Sequence, residues 1–144
     1  MAWTERATSP YSTETVWNAG LSGTGVANDG RTLTVGQEGA WAPEYLLLLA
    51  AESCFMTTLL GLARDADIPV LGYVSKGRLQ PRDAGSEGPA IALMPCVVVA
   101  SEDDVSRILR LAGSVSRESM VARLLGDRLR VTLDVRAVPG CESR

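Results

Sequence analysis

Apolar and polar residues alternate in short runs near both ends of the chain, and a long apolar block separates these two patterned regions. In the N-terminal region, residues 12–19 alternate loosely, which predicts a β-strand. The glycine-rich stretch 20–25 indicates a loop or a bulged edge. The Asn-Asp-Gly sequence at 28–30 predicts a hairpin turn, because these residue types tolerate positive φ. Residues 31–35 are then the return strand.

The apolar block has the signals of one long helix. Pro43 suits the first helical position, and Glu44 favours the positive end of the helix dipole. From Tyr45 onward the block is apolar almost all round, and Asp67 and Pro69 mark its end. This predicts about 24 helical residues, or about 36 Å of helix. The apolar residues after Tyr45 are Leu46, Leu47, Leu48, Leu49, Ala50, Ala51, Cys54, Phe55, Met56, Leu59 and Leu60.

A helix that is apolar on all sides needs cover on all sides. One sheet in a domain of 144 residues covers a single face, so a second copy of the chain is the simplest cover for the other, and we expect a homodimer. A transmembrane span over 45–63 is the alternative, because its length is about right. Against it stand Glu52 in mid-stretch, the hydroxyls of Ser53, Thr57 and Thr58, and the lack of a flanking Lys/Arg cluster. We therefore expect no membrane partner.

Three further strands are predicted after the long helix. Residues 70–79 and 90–100 indicate two strands, with a polar loop over 80–89 between them. The clearest strand lies near the end of the chain, where apolar residues alternate with polar ones to give one buried and one wet face. Its apolar residues are Leu129, Val131, Leu133, Val135 and Ala137.

Two helices are predicted before that last strand. Ser101 followed by three carboxylates is a good helix start, because the hydroxyl caps the helix and the carboxylates occupy its first turn. Apolar residues at helical spacing continue the helix as far as Val115. Gly113 is expected to weaken or break it, and a shorter helix near 116–125 ends at Gly126.

The predicted order is therefore three strands, a long helix, two strands, two helices and a strand. Because strands and helices come in groups, the class is α+β, with helices packed on antiparallel sheet. The length of the chain fits one domain. We assign 11–138 to that domain, 1–10 to a flexible N-terminus and 139–144 to a C-terminal tail.

Composition excludes several kinds of chemistry. The net charge is −3 and the 14 Lys and Arg residues are scattered, so nucleic acid is not an expected partner. The polar N-terminus lacks the apolar core of a signal peptide, and three cysteines without paired spacing fit a reducing compartment, so we expect a cytoplasmic protein. The chain has no histidine, which excludes Ser-His-Asp and Cys-His catalysis and the histidine zinc motif. A phosphate-binding glycine loop is also missing, and with neither motif in the sequence we expect no cofactor and no metal.

The chemistry must then rest on side chains such as cysteine and glutamate. Cys54 lies within the predicted helix, where a free cysteine is often simply a small core residue, and an apolar environment disfavours a thiolate unless a cation is near. Glu44 is about 15 Å from Cys54 along one helix, so the two meet only if two such helices cross antiparallel in a dimer. The Glu52 carboxyl group needs an arginine partner, water or a proton of its own, and of these we favour a structural ion pair. Cys96 is expected in a strand core, and Cys141 in the tail.

The segment 39–60, GAWAPEYLLLLAAESCFMTTLL, resembles the signature of the OsmC and organic hydroperoxide resistance family. There, Pro-Glu opens a central helix and a run of Leu and Ala leads to a Cys ten positions after the Glu. The resemblance implies the OsmC-like fold, with sheets around a long buried central helix in an intertwined homodimer. It also implies that Cys54 is a peroxidatic nucleophile and that Glu44 works with an arginine to activate the thiol.

Two positions depart from the family pattern. The resolving cysteine of the family lies in a Cys-Pro-x-Ser-like stretch, which here reads AGSVSRES at 112–119 and places Ser116 at the cysteine position. The activating arginine of the family lies in a Gly-Gly-Arg-x-Gly pattern, which here reads AGLSG at 19–23 and places Leu21 at the arginine position.

Each departure has a chemical meaning. A hydroxyl cannot close a disulfide onto a sulfenic acid, so the two-cysteine cycle is not open to Cys54 unless Cys96 replaces the missing thiol. The loss of the arginine removes the most direct electrostatic support of a thiolate. Arg31, Arg78 and Arg117 are the candidates to replace it.

These residues support three hypotheses. The first is a thiol-dependent organic hydroperoxide reductase of oxidative-stress defence that works in a one-cysteine mode, with Cys54 oxidised by the hydroperoxide and reduced by an external thiol. The second is a non-catalytic homodimer that binds a small apolar ligand or partner between its helices. The third is a purely structural dimer domain.

Overall fold

The computed structural model describes residues 11–37, 39–80 and 88–139. The strands are β1 (Thr13–Ala19), β2 (Ser22–Ala27), β3 (Thr32–Gly36), β4 (Val70–Gln80), β5 (Ala90–Val99), β6 (Leu129–Val131) and β7 (Asp134–Ala137). The helices are α1 (Pro43–Asp65), α2 (Glu102–Glu118) and α3 (Met120–Leu125), with a short 3-10 turn over Gly126–Arg128. The α+β class is confirmed. The predicted loop over 80–89 and the predicted N- and C-terminal segments lie largely outside the described residues.

The first three strands form an antiparallel sheet in the order β1-β2-β3. The turn at 28–30 is confirmed, and Gly30 has the positive φ that such a turn requires. The prediction of a loop or a bulged edge over 20–25 is wrong, because most of this stretch is β2, the central strand, whose backbone is paired on both sides. Glycine fits here because a Cβ on Gly23 would lie 2.7 Å from the carbonyl oxygen of Val16. Close strand contact therefore outweighs the low strand propensity of glycine.

The second sheet is mixed, which corrects the prediction of purely antiparallel sheets. β5 pairs antiparallel with β4 and parallel with β6 and β7. The parallel pairing follows from the connection through α2 and α3, because a helical crossover returns the chain in the same direction. The predicted last strand is divided into β6 and β7, although both keep one register on β5. The gap lies opposite Pro95, which has no N–H to donate to the ladder.

Helix α1 begins and ends where the sequence predicts. Pro43 is at its first turn, and the chain leaves the helix through Asp67, whose φ of 54° is left-handed. The N–H of Asp67 donates to the Arg64 carbonyl at 3.1 Å, and that of Ile68 donates to the Ala63 carbonyl at 2.9 Å. This pair of hydrogen bonds is a Schellman motif, which satisfies the last carbonyls of the helix.

The core forms around the C-terminal half of α1. In the single chain, no residue of α1 before Ala51 is buried. By length and composition α1 is apolar enough to cross a membrane, a test that core helices of soluble proteins also pass, and 28% of its most apolar window is buried. The residues of the core are Ala51, Phe55, Leu59, Ala63, Ile68, Ile91, Leu93, Val97, Val99, Ile108 and Val115.

Helix α2 packs across the end of α1. Ser101 caps it by accepting from the N–H of Asp104 at 3.2 Å, as predicted. Arg107 pairs with Asp104 at 3.0 Å and donates to the Ala66 carbonyl at 2.7 Å, which joins the two helices. The predicted break at Gly113 is wrong, since α2 continues to Glu118. Burial of apolar residues on both sides of Gly113 outweighs its cost of about 1 kcal/mol.

Candidate functional site

Cys54 lies at the middle of α1 and is partly buried. Its Sγ is 2.9 Å from the Oγ of Ser119, which lies between α2 and α3. The hydroxyls near Cys54 on α1 donate to backbone carbonyls of the preceding turn: Ser53 to Leu49 at 2.6 Å and Thr58 to Cys54 at 2.7 Å. Ser119 is therefore the side chain that supplies a polar contact to the sulfur.

Ser119 is fixed by both helices that it joins. Its backbone N–H donates to the Val115 carbonyl at 2.8 Å and closes α2, and its Oγ accepts from the N–H of Ala122 at 3.2 Å and caps α3. The residue is buried. Because one lone pair of the hydroxyl serves the cap, its own hydrogen is free to point at Cys54.

The structure places Ser119, not Ser116, beside Cys54. Ser116 is exposed in the last turn of α2. Motif spacing missed Ser119 because the two serines are three residues apart, almost one helical turn, and the pattern alone does not tell where α2 ends. The signal that could have found it is the capping preference of serine directly before the helical sequence 120–125.

The single chain does not bring Glu44 to Cys54. Glu44 is exposed at the first turn of α1, about 15 Å along the axis from the sulfur. The candidate arginines also lie elsewhere: Arg31 pairs with Asp29, and Arg117 donates to Ser114. In the described part of the chain, no arginine or lysine donates a hydrogen bond to Cys54.

Arg78 and Leu21 are both exposed in the single chain. Arg78 is exposed on β4, whose alternate residues face α1. Leu21, the residue at the arginine position of the family pattern, is exposed at the turn between β1 and β2. The N-terminal sheet connects to α1 through a bridge between Val35 and Trp41.

Glu52 packs against β4 and takes no part in an ion pair within the described residues, contrary to the prediction. Its carboxyl carbon would lie 3.0 Å from a Cβ on Gly77, so only glycine leaves room for it there. Burial, and secondly the charge of Glu52, raises the pKa of Tyr73 to about 12. The hydroxyl oxygens of Tyr73 and Ser75 are buried and unpaired. The polar side chains of Glu52, Tyr73 and Ser75, together with Gly77, form what we call the polar cluster between α1 and β4.

Cys96 is not in a strand core, contrary to the prediction. The core face of β5 carries its odd-numbered residues, whereas Cys96 is on the other face and partly exposed. Its Sγ is 3.9 Å from the Asp134 carboxylate, which is paired with Arg136. Cys141 lies outside the described residues. Within the described ranges, no group of three or more Cys, Asp or Glu residues is arranged to hold a metal ion.

The fold matches known protein structures, although the sequence does not. No protein-family model and no curated protein matches the chain. An OsmC-like protein of unknown function from Vibrio cholerae superposes with a TM-score of 0.72 at 16% identity, over 88% of this chain and 99% of that one. An OsmC-like protein from Mycoplasma pneumoniae gives a TM-score of 0.71 at 17% identity, over 91% and 99% of the two chains.

A third structure, the organic hydroperoxide resistance protein OsmC of Legionella pneumophila, gives a TM-score of 0.65 at 15% identity, over 90% of this chain and 98% of that one. The likeness thus covers nearly the whole length of each protein. The chain has the fold of OsmC-like and organic hydroperoxide resistance proteins. This confirms, as fold, the resemblance predicted from the Pro-Glu…Cys helix.

Proposed function

We propose that this chain is a thiol-dependent reductase of organic hydroperoxides that acts in oxidative-stress defence, with Cys54 as the reacting thiol. The observation that carries the proposal is the contact of 2.9 Å between Cys54 and Ser119 at the centre of an OsmC-like fold. The relatives in fold include organic hydroperoxide resistance proteins, which are linked to peroxide defence. A cytoplasmic location fits a free thiol in a reducing compartment.

The cycle needs one cysteine of this chain. The Cys54 thiolate attacks an oxygen of the hydroperoxide, the O–O bond breaks, and the alcohol leaves with a proton. The sulfur, oxidised by two electrons, becomes a sulfenic acid. An external thiol then displaces water to form a mixed disulfide, and a second external thiol releases Cys54 with formation of the external disulfide.

The proposed active form is an intertwined homodimer. The N-terminal half of α1 exposes a set of large apolar side chains, which includes Tyr45, Leu47 and Leu49. Leu49 is midway between Glu44 and Cys54. If two α1 helices cross antiparallel at Leu49, Glu44 of the second copy lies at the same height along the helix axis as Cys54 of the first, whereas within one chain the two residues are about 15 Å apart along the axis.

The test is oxidation of the intact protein with limiting cumene hydroperoxide, followed by dimedone trapping and mass spectrometry. We expect a sulfenic acid adduct on Cys54 and hydroperoxide consumption when dithiothreitol is the reductant. Cys54→Ser should abolish both. Cys96→Ser is the matched control, because Cys96 is on the face of β5 away from the core, and it should leave both unchanged.

A non-catalytic homodimer that binds a small apolar ligand is the second candidate. It is favoured by one observation, that no arginine or lysine of the described residues donates to Cys54. Absence of any Cys54 adduct, with the thiol still titratable after denaturation, would reject the reductase and leave the ligand-binding homodimer and the purely structural dimer domain.

A further inference from the structure

We propose that Ser119 is the positioning residue for the Cys54 sulfur, donating a hydrogen bond to its thiolate and then to its oxidised form. This inference rests on the proposed function for its second step only. The first step, support of the thiolate, concerns the thiol whatever it reacts with. Ser119 thus supplies a hydrogen bond that no arginine or lysine of the described residues gives to Cys54.

The direction of the hydrogen bond depends on the protonation state. With a neutral thiol, either atom can donate across the 2.9 Å contact. A thiolate has no hydrogen, so Ser119 must then donate. The hydroxyl can do this without giving up the α3 cap, because the cap uses its lone pair as acceptor from Ala122. A hydrogen bond to a charged group is stronger than one to a neutral group, so Ser119 favours the thiolate over the thiol.

The contact between Ser119 and Cys54 also determines which thiol can react with the sulfenic acid. A resolving thiol acts by attacking the sulfenic sulfur and releasing water, which leaves a disulfide. The side chain in contact with Cys54 is a hydroxyl, which cannot form that bond. Cys96 is on the opposite face of β5 from the core and does not face α1. Ser119 therefore contacts the sulfenic acid without consuming it, and the next reactant is an external thiol.

The first experiment measures the rate of iodoacetamide alkylation of Cys54 against pH, in a Cys96→Ser, Cys141→Ser background. Ser119→Ala should move this profile to higher pH by about one unit, and so reduce the rate about tenfold near neutral pH. Ser119→Thr keeps a hydroxyl and should restore most of the rate. Iodoacetamide needs no peroxidase activity, so this result is independent of the proposed function.

The matched control is Ser101→Ala. Ser101 caps α2 by accepting from the N–H of Asp104 at 3.2 Å, as Ser119 caps α3 by accepting from the N–H of Ala122 at 3.2 Å, but no thiol contact is found for Ser101 among the described residues. It should leave the alkylation profile in place. Equal shifts in both variants would mean that loss of a helix cap, not loss of the donor, changes the reactivity, and would overturn the inference.

The second experiment converts the serine to a thiol. Ser119→Cys should form a disulfide with Cys54 when treated with diamide, since the 2.9 Å contact has to close only to about 2.05 Å. Ser116→Cys, whose position is exposed, should form none. If hydroperoxide also produces the 54–119 disulfide, the two-cysteine cycle has been restored.

The outcomes separate the two proposals. A shifted Ser119→Ala profile and a diamide disulfide, without any oxidation by hydroperoxide, support the role of Ser119 and reject the reductase. Sulfenic acid in the parent protein, with an unshifted Ser119→Ala profile, rejects the role of Ser119 and keeps the reductase. A disulfide in Ser116→Cys and not in Ser119→Cys would overturn the placement of Ser119 beside Cys54.

Discussion

The two halves of α1 are alike in sequence and unlike in surroundings. Leu49 is 44% exposed and Leu59 is fully buried, although both are leucines in an apolar run of one helix. The C-terminal half is covered by α2 and by the sheet around β5, whereas in the N-terminal half only Leu46 and Leu48 are partly buried in the single chain. Cys54 lies near the boundary between them. A uniformly apolar helix is therefore not evidence for one uniform environment.

The difference has an energetic consequence. Leu59 is buried by the folding of its own chain, whereas an exposed leucine such as Leu49 becomes buried only by association with another molecule. Large exposed apolar surfaces mark interaction sites in soluble proteins. In the proposed homodimer, the two halves of α1 therefore contribute to two different equilibria, one independent of protein concentration and one dependent on it.

The largest change in stability is expected from a substitution in the covered, C-terminal half of α1. Leu59→Ala should lower the free energy of unfolding by about 2–5 kcal/mol, because it removes buried methyl groups and leaves a cavity. Urea denaturation at fixed protein concentration measures this loss. Leu124→Ala on α3 is the control, since Leu124 is 81% exposed and its loss should stay within about 0.5 kcal/mol. Similar losses in the two variants would contradict the assignment of the core.

A substitution of an exposed leucine in the N-terminal half of α1 should weaken association between two copies of the chain and leave folding of each copy intact. Leu49→Lys places a charge at the proposed crossing point and should turn a dimer into a folded monomer, as measured by sedimentation and circular dichroism. Leu71→Lys on β4 replaces a leucine that is also exposed but lies outside α1, and should leave the dimer intact. A parent protein that is already monomeric, or a Leu49→Lys variant that remains dimeric, would refute the antiparallel crossing at Leu49.

Much of the fold could be predicted from local signals. The long helix, its start at Pro43 and its end near Asp67 are set by residue types whose backbone preferences are strong. The errors arose where pairing between distant segments decides. The stretch 20–25 is a strand because β1 and β3 flank it, and α2 passes Gly113 because residues on both sides are buried. Such contacts leave no trace in a local pattern.

The site was predictable in its residue types but not in its geometry. The helix pattern identified Cys54, and the family pattern located a serine in the segment that reaches it. The choice between Ser116 and Ser119 depended on where α2 ends, and a helix end is uncertain by about two to four residues when only a sequence pattern defines it. Glu52 was expected in an ion pair because a buried carboxylate needs a partner, yet the space beside Gly77 accommodates it near Tyr73 instead.

The smallest change in stability is expected from the polar cluster of Glu52, Tyr73, Ser75 and Gly77, near the boundary between the two halves of α1. The Tyr73 pKa is raised to about 12 in the folded chain from 10.0, mainly by burial. The unfolded chain therefore releases this proton at lower pH than the folded chain. The contribution of Tyr73 is fully present below pH 10 and is lost as the pH rises towards 12. Stability against urea should fall across that window.

Tyr73→Phe should remove part of this alkaline loss and change stability little at pH 7, because the hydroxyl has no hydrogen-bond partner to lose. Glu52→Gln should move the Tyr73 titration, followed by its absorbance, only part of the way back to 10, since the charge of Glu52 is the lesser cause and burial remains. A complete return to 10 in Glu52→Gln would mean that the carboxylate and not the burial controls Tyr73.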